Sequence, residues 1–239
     1  MIDPLEGIDL VIFDKDGTLI GFDTMWTDWA VALGGRLSAT VGRDVRPTLF
    51  LVLGYDEATG TATAGGGLAS TPMARLRQLT VAVLVDGGSR PDDAEAAVAQ
   101  AWFAPDPEHL SHPLADLRAL LGALREDGRR IAIATSDDRD PTQRTLAVLG
   151  VADLVDATVC ADDGLPVKPA PDMVLHVCER LGVDPQRAAM VGDSPADLRM
   201  ARSAGAGRVI GVLTGVGERD DLEPLADLVI GSVEQLRIA

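Results

Sequence analysis

The sequence predicts an α/β protein with a parallel sheet that is covered by helices on both faces, and with a mostly helical segment inserted after the first strand. Three observations favour this class. The apolar run Leu10–Phe13 is typical of a buried strand. Strands and helices alternate regularly from Pro113 onward, as they do in parallel sheets. The residues between these two regions, 21–112, lack that alternation.

The regular part of the sequence predicts its elements one after another. Helices are expected where apolar residues recur at helical spacing, and strands where short apolar runs are bounded by turn residues. The helices are predicted at 114–126, 141–149, 171–181 and 195–204, and the strands at 130–134, 156–160, 188–191, 208–213 and 227–230. We therefore expect residues 1–20 and 113–239 to form one core domain that binds its ligands at the carboxyl ends of the strands.

The interval 21–112 is expected to form a second, helical domain. Apolar spacing predicts helices over 24–43 and 71–85, and a proline followed by acidic residues predicts a third helix over 91–101. The stretch 54–70 is rich in glycine and threonine and is expected to be a loop or a hairpin.

Composition limits the class of protein. A hydrophobic fraction of 46% with 24% charged residues is globular, and 239 residues suffice for a substantial core. The net charge of −16 argues against a general nucleic-acid surface, which normally presents clustered lysine and arginine. No apolar run approaches the roughly 18 to 20 residues of a membrane span, and the N-terminus shows no leader. We therefore expect a cytoplasmic protein without membrane or nucleic-acid partners, with Cys160 and Cys178 reduced and buried.

Polar residues recur at the ends of the predicted strands and at the turns beside them. Alternation along the first strand would place the carboxylates of Asp14 and Asp16 on the same side, where they can share a cation. Because the carboxyl ends of parallel strands meet at one edge of a sheet, we expect the polar residues there to converge. The set comprises Asp14, Asp16, Thr135, Ser136, Lys168, Asp193 and Asp197.

The first motif supplies a nucleophile and a proton carrier for phosphoryl transfer. Asp14 is ionised at neutral pH, since the ordinary pKa of an aspartate is about 3.9, and it needs no base in order to attack. Asp16 can protonate the leaving oxygen and later deprotonate water, provided that its surroundings favour the protonated form. Gly17 permits a turn that brings backbone amides close to a phosphate, and Thr18 can hydrogen-bond Asp16 and fix its direction.

The other motifs supply hydrogen-bond donors, positive charge and a metal ligand. Thr135 and Ser136 offer neutral donors to phosphate oxygens, and Lys168 offers a positive charge. Asp193 offers a carboxylate oxygen to Mg²⁺, a hard cation that prefers such ligands. Asp197 could orient Lys168 or a metal-bound water.

Each motif alone has a plainer interpretation. An Asp-X-Asp sequence after a strand is more often a turn or a helix cap, and a solitary Lys168 would be a solvated loop residue. The Thr135-Ser136 pair could equally form a local turn. Their joint occurrence, in this order and on strand ends, favours a site. Phe22 and Trp26 are candidates for substrate specificity, although an aromatic stripe on a helix more often belongs to the core.

Four motifs of the sequence resemble those of the haloacid dehalogenase superfamily. They are Phe13–Leu19, Thr135, Lys168-Pro169 and Gly192–Asp197. Within the superfamily the chain is most similar to the phosphoglycolate phosphatase-like branch, whose helical cap is inserted just after the first motif. The resemblance implies a Rossmann-like core domain with an inserted α-helical cap domain.

The resemblance also implies a mechanism through an aspartyl-phosphate. Asp14 would attack the phosphorus, and Asp16 would act first as an acid and then as a base. Mg²⁺ would be held by Asp14, the Asp16 carbonyl and Asp193. Thr135 and Lys168 would bind the phosphoryl group.

The resulting expectation is a Mg²⁺-dependent phosphatase for a small phosphorylated metabolite, with phosphoglycolate as the family-level candidate, acting as a monomer or a homodimer. A phosphomutase would use the same residues and return the phosphoryl group to its substrate. A binding or regulatory protein could keep this fold without turnover. Carbon–halogen chemistry is disfavoured, because Asp16 is suited to protonating an oxygen leaving group. Many relatives carry an acid where Gly21 stands, at the hinge into the cap, and here the nearest following acid is Asp23.

Overall fold

The computed structural model describes residues 4–63, 66–105 and 112–236, and these fall into two units. The first unit holds the described residues up to Phe22 and from His112 onward. The second unit holds those from Asp23 to Pro105.

Strands and helices alternate from residue 117 onward, whereas residues 23–101 are mostly helical. The strands are β1 Leu10–Phe13, β2 Tyr55–Asp56, β3 Thr61–Ala62, β4 Arg130–Ala134, β5 Ala157–Val159, β6 Ala188–Gly192, β7 Arg208–Val212 and β8 Leu228–Ile230. The α-helices are α1 Asp23–Val41, α2 Arg46–Leu53, α3 Gly67–Ser70, α4 Met73–Asp86, α5 Pro91–Ala101, α6 Leu117–Glu126, α7 Arg139–Val148, α8 Asp172–Leu181, α9 Pro195–Ala204 and α10 Arg219–Leu222. Short 3₁₀ turns lie at Ala152–Leu154, Ala161–Asp163, Pro185–Arg187 and Val233–Leu236.

The first unit is built on a parallel sheet with the strand order β5-β4-β1-β6-β7-β8. β1 pairs with β4 on one side, where Phe13 lies opposite Ile133, and with β6 on the other, where Phe13 lies opposite Val191. The chain fills the β4 side first and then crosses to the β6 side, so the strand order reverses at β1. Ligands of such sheets bind at this reversal, beyond the carboxyl ends of the strands. The predicted α/β class with a parallel sheet is confirmed.

Both faces of the sheet are covered by helices. Val11 and Phe13 belong to an apolar cluster with the leucines of α6, whereas Leu10 and Ile12 belong to a second cluster with apolar residues of α8 and α9. All four side chains are fully buried. Because each face of β1 packs against a helical layer, its sequence is continuously apolar instead of alternating with polar residues.

The chain leaves and re-enters the sheet region at neighbouring backbone positions. Ile20 and Pro113 form an antiparallel bridge, and the amide of Gly21 donates to the carbonyl oxygen of His112 (2.8 Å). A Cβ atom at Gly21 would meet that oxygen at an ordinary contact distance of 3.8 Å, so the backbone leaves room for a side chain here. The two ends of the inserted segment are thus joined by backbone hydrogen bonding.

The second unit consists of helices α1 to α5 and the antiparallel hairpin β2–β3. Trp29 of α1 is buried, and its Nε1 donates to the carbonyl oxygen of Phe103 (2.8 Å). Its ring meets those of Trp26 and Trp102 edge-on, with centroid distances of 6.0 and 5.2 Å. Trp26 is therefore part of an aromatic cluster inside this unit, where it is 5% exposed.

The main difference from the predicted elements is helix α2. Its run Leu49–Leu53 is continuously apolar and lacks helical spacing, so periodicity gives no helix signal there. Pro47 in the first turn was the available start signal. Helix α1 also ends at Val41, two residues before its predicted end, because Gly42 takes a left-handed φ of 69°.

The stretch predicted as a loop or hairpin, 54–70, contains the hairpin β2–β3 and the short helix α3. The remaining predicted helices and strands agree with the structure to within three residues at each end. Among the described residues, no helix combines the length and the apolar character that a membrane crossing requires.

Candidate active site

The candidate site residues lie where β1, β4 and β6 end. Asp14 follows β1, and its amide donates to the carbonyl oxygen of Val191 in β6 (2.9 Å). Thr135 directly follows β4, and Asp193 directly follows β6. Since these strands are neighbours in the sheet, their carboxyl ends bring the three residues to the same edge.

The segment after β1 folds back on itself in a tight turn. The carbonyl oxygen of Lys15 accepts the amides of Leu19 (2.9 Å) and Ile20 (3.1 Å), and the amide of Gly17 donates to the carbonyl oxygen of Ile20 (2.7 Å). Gly17 has a φ of 84°, in the left-handed region that favours glycine. The turn predicted at Gly17 is therefore present, and it starts immediately after the strand.

Asp16 lies in this turn and not in a strand. The expected alternation of Asp14 and Asp16 along a strand does not apply, because β1 ends at Phe13, before either residue. The Asp16 carboxylate accepts a hydrogen bond from Lys15 Nζ (2.6 Å), and its side chain is 12% exposed. The position of Asp16 is thus set by the turn and by a neighbouring lysine.

The carboxylate of Asp193 sits in a close-fitting backbone pocket. Its Oδ2 accepts the amide of Val216 (2.8 Å), and its Oδ1 accepts a hydrogen bond from Thr18 Oγ1 (3.3 Å). A Cβ atom at Gly17 or Gly215 would overlap this carboxylate, so both positions need glycine for space. The expected bond from Thr18 to Asp16 is wrong, because the turn at Gly17 directs the Thr18 hydroxyl to Asp193.

Lys168 links two carboxylates from different strand ends. Its Nζ lies 2.5 Å from Asp14 Oδ1 and 2.5 Å from Asp197 Oδ1, and the side chain is 4% exposed. Asp197 is held in turn by Ser194, whose Oγ donates to Asp197 Oδ2 (2.6 Å) in a capping box at the start of α9. Of the two partners considered for Asp197, the geometry brings it to Lys168.

The site buries more negative than positive charge. Burial raises the pKa of Asp14 to about 7, against the opposing charge of Lys168 and with a contribution from Asp197. Burial also raises the pKa of Asp193 well above its ordinary value, with Asp14 and Asp197 adding to the rise. Burial alone would lower the pKa of Lys168, but the charges of Asp14 and Asp197 outweigh it and raise that pKa. One lysine is therefore too little positive charge for these carboxylates.

The donor set fits a hard divalent cation. Asp14, Asp193 and Asp197 each offer a carboxylate oxygen, and these atoms lie within 4.8 Å of one another. Both oxygens of Asp197 already have partners, in Lys168 and Ser194, which leaves Asp14 and Asp193 as the more available ligands. Oxygen ligands of this kind suit Mg²⁺, and a divalent cation would supply the missing positive charge.

Thr135 and Ser136 both lie at the end of β4. The Thr135 hydroxyl already forms a hydrogen bond, and the Ser136 hydroxyl forms none within the described part of the chain. Thr135 Oγ1 accepts the amide of Asp137 (3.1 Å), which is the local turn considered for this pair. A hydroxyl that accepts in this way keeps its own proton for another acceptor. Ser136 Oγ is buried and has no hydrogen-bond partner among the described residues. Both hydroxyls can therefore donate to a bound oxyanion.

Several residues that shape the site were not predicted from the sequence. Gly215 makes room for Asp193, and Thr214 Oγ1 donates to the carbonyl oxygen of Gly17 (2.7 Å). Thr214 and Gly215 directly follow the predicted strand 208–213, and this position at a strand end was the signal that could have identified them as site residues. Lys15, between the two aspartates of the first motif, has a side chain that is only 1% exposed. Phe22 is buried in the first unit and Trp26 in the second, and their part in specificity stays a prediction.

Known proteins share both the motifs and the fold of this chain. Residues 8–205 match the family model described as haloacid dehalogenase-like hydrolase. The phosphoglycolate phosphatase of Rhodospirillum rubrum is 34% identical over 202 residues, which cover 82% of this chain and 76% of that protein.

Solved structures with the same fold include phosphatases and mutases. A haloacid dehalogenase phosphatase from Thermococcus onnurineus superimposes with a TM-score of 0.68 at 23% identity and covers 96% of each chain. A β-phosphoglucomutase from Clostridium difficile gives a TM-score of 0.60 at 19% identity and covers 97% of this chain and 94% of that one. At these identities the structures establish the fold alone. The family match over most of the chain, together with the Rhodospirillum relative, establishes that this protein belongs to the haloacid dehalogenase-like hydrolases, as its motifs predict.

Proposed function

We propose that this protein is a Mg²⁺-dependent phosphatase that hydrolyses a small phosphomonoester through an aspartyl-phosphate formed on Asp14. The observation that carries the proposal is the buried cluster at the sheet edge, where Asp14 lies between Lys168 and the second acidic ligand, Asp193. A carboxylate in this setting can attack an electrophilic phosphorus without a base.

Asp14 and Asp193, with the Asp16 carbonyl that the family resemblance implies, would hold the ion. Bound Mg²⁺ would neutralise charge on the phosphoryl oxygens and on the acids, which otherwise repel a phosphate dianion. Lys168 would add positive charge beside the attacking oxygen, since its Nζ already contacts Asp14 Oδ1. The hydroxyls of Thr135 and Ser136 would donate to the remaining phosphoryl oxygens.

The reaction needs two proton transfers, and we assign both to Asp16. In the first step an oxygen of Asp14 bonds to phosphorus, the ester P–O bond breaks, and Asp16 gives its proton to the leaving alkoxide. In the second step Asp16 takes a proton from water, the water oxygen bonds to phosphorus, and the bond between phosphorus and Asp14 breaks. Inorganic phosphate leaves, and Asp14 returns to its starting form.

Phosphoglycolate is the candidate substrate, because the Rhodospirillum relative is a phosphoglycolate phosphatase. A phosphomutase is the second candidate, favoured only by the shared fold with the Clostridium enzyme. The cytoplasmic location and the monomeric or dimeric state expected from the sequence stay predictions.

The test is a panel of phosphomonoesters incubated with the purified protein and Mg²⁺, with free phosphate as the readout. The panel includes 2-phosphoglycolate, p-nitrophenyl phosphate, sugar phosphates and nucleoside monophosphates. Release from at least one ester, abolished by EDTA and restored by Mg²⁺, is the expected result. Isomerised sugar phosphate without net phosphate release would select the mutase, and no reaction with any ester would rule out the proposed hydrolysis.

A further inference from the structure

A buried lysine that the proposed mechanism does not use lies between the two aspartates of the first motif. Lys15 has a side chain that is 1% exposed. Its Nζ lies 2.6 Å from Asp16 Oδ1 and 3.4 Å from Asp137 Oδ2. Asp137 is itself buried, with a side chain that is 7% exposed. The ammonium group therefore stands between an acid of the turn and an acid that follows β4.

Burying an ammonium group is unfavourable unless carboxylates compensate it. The carboxylates of Asp16 and Asp137 supply this compensation on two sides of the ammonium group. Packing alone does not explain a charged residue at a site enclosed on all sides. Its directed contact with Asp16 offers a reason.

The contacts on either side of Lys15 form a continuous link from β4 to Asp16. Asp137 is fixed by its backbone, since its carbonyl oxygen accepts the amide of Ala161 (2.9 Å) and its Oδ1 accepts the amide of Asp138 (2.9 Å). The backbone of Lys15 is fixed by the two amides that its carbonyl oxygen accepts. Asp16, by contrast, lies in a turn outside the strand ladder, so its carboxylate needs a side-chain contact to hold its direction.

We propose that Lys15 is a positioning residue that holds the carboxylate of Asp16 in its working direction, with Asp137 as the anchor on the far side of the ammonium group. The role in catalysis rests on the proposed function, because it assumes that Asp16 transfers protons. The geometric part, that Lys15 sets the direction of the Asp16 carboxylate, stands without it.

The two proton transfers give this role a distinctive signature. An aryl ester such as p-nitrophenyl phosphate has a good leaving group, so phosphorylation of Asp14 needs little help from an acid. Breakdown of the aspartyl-phosphate always needs Asp16 to deprotonate water. Displacing Asp16 should therefore slow the second step much more than the first for an aryl ester, and slow both steps for an alkyl ester.

The kinetic test compares wild type with Lys15→Met and with the double variant Lys15→Met/Asp137→Asn. The double variant removes the carboxylate that the single change would leave buried and uncompensated, so it guards against a variant that fails to fold. With p-nitrophenyl phosphate and saturating Mg²⁺, we expect a burst of about one equivalent of nitrophenol followed by steady-state turnover slowed by about 100-fold, the usual size of a general acid–base contribution. kcat and KM should fall together, so that kcat/KM changes little, because the slowed step follows the first irreversible step. Arg118→Met, which removes a surface ion pair with Asp153, is the matched control and should behave as wild type.

Turnover within twofold of wild type in a folded Lys15 variant would overturn the proposal, and so would an equal loss of burst and turnover, which indicates general damage to the site. Crystal structures of wild type and of the same variants supply a readout that needs no substrate. The Asp16 carboxylate should lose its defined direction in the variants, and an unchanged carboxylate would overturn the inference. If wild type hydrolyses no ester, the proposed function fails, while the crystal structures still decide the role of Lys15.

Discussion

Asp14 is the residue on which the proposed chemistry depends most directly. Its buried carboxylate contacts Lys168 and has an oxygen within 4.8 Å of a carboxylate oxygen of Asp193. It can therefore contact both a shared cation and a phosphoryl group. The same burial is unfavourable for the ionised form, and it raises the pKa of Asp14 to about 7. The ionised Asp14 carboxylate that the proposed reaction needs therefore lowers the stability of the folded protein, and both effects can be measured.

Replacing the proposed nucleophile should abolish turnover without unfolding the protein. Asp14→Asn keeps the shape of the side chain but cannot form an acyl phosphate, so we expect phosphate release below detection. Thermal stability without metal should be equal or higher, because one of several mutually repelling carboxylates is gone. Phosphate release and the thermal unfolding midpoint are the measurements, with the exposed Asp153→Asn as control. Activity like that of wild type would remove Asp14 from its proposed role.

The raised pKa of Asp14 predicts how pH and metal act together on stability. A carboxyl group whose pKa is higher in the folded state contributes stability that is fully present below its unfolded pKa and is lost as pH rises through the folded value, here about 7. Mg²⁺ would replace the proton at this site, so it should raise the unfolding midpoint more at pH 8 than at pH 5.5. Differential scanning fluorimetry with Mg²⁺ and with EDTA at both values measures this. An equal gain at the two pH values would contradict the expected competition.

At the scale of elements, the loop after β7 supports Asp193, the proposed metal ligand that directly follows β6. The amide of Val216 and the absence of a side chain at Gly215 together define where the Asp193 carboxylate sits. This support comes from a strand two places from β1 in the sheet order, so the site depends on the register of three neighbouring strands.

Gly215→Ala should weaken activity by displacing Asp193. The added Cβ would overlap the carboxylate, and a misplacement of about 1 Å can cost about 100-fold in rate. Titrating activity against Mg²⁺ should show a higher concentration for half-maximal rate. Gly122→Ala in α6 is the matched control, because a Cβ there meets nothing within 4 Å and alanine favours a helix. An unchanged Mg²⁺ dependence in Gly215→Ala would mean that the loop does not define the ligand position.

At the scale of the whole molecule, net charge opposes the proposed substrate. The formal charge is −16, so a phosphate ester approaches against a repulsive field and gains attraction only near Lys168 and the proposed Mg²⁺ ion. Screening acts mainly on the distant charges, because contacts within the buried site lie well inside a Debye length.

Added salt should therefore raise kcat/KM for anionic esters. Between low and physiological ionic strength at saturating Mg²⁺, we expect an increase of about two- to fivefold, within the range of long-range electrostatic effects on association. The increase should be larger for 2-phosphoglycolate, which carries an additional carboxylate, than for p-nitrophenyl phosphate. Steady-state kinetics in a KCl series measures both. A fall in kcat/KM for both esters would show that attraction, not repulsion, dominates their approach.

The parallel sheet and the group of polar residues at its edge were predictable because both follow local rules. Short apolar runs gave the strands, and the convergence of strand ends placed Asp14, Thr135 and Asp193 together. The partner of Thr18 was not predictable, because Asp193 lies 175 residues away and the direction of the hydroxyl depends on the turn at Gly17.

The burial of Lys15 was missed for a different reason. Lysine is almost never fully buried unless it is paired, and neither of its partners can be identified from spacing. Asp16 is adjacent in sequence, where side chains usually point apart, and Asp137 follows another strand. Helix α2 was missed because its apolar run lacks a polar face.

The hydrogen bond between Gly21 and His112, beside the bridge between Ile20 and Pro113, has a consequence for how this architecture can diversify. Because these residues are bonded to each other, the two ends of the inserted segment are held together independently of its length. One insert can be exchanged for another, or trimmed to a tight connection, without rerouting any strand.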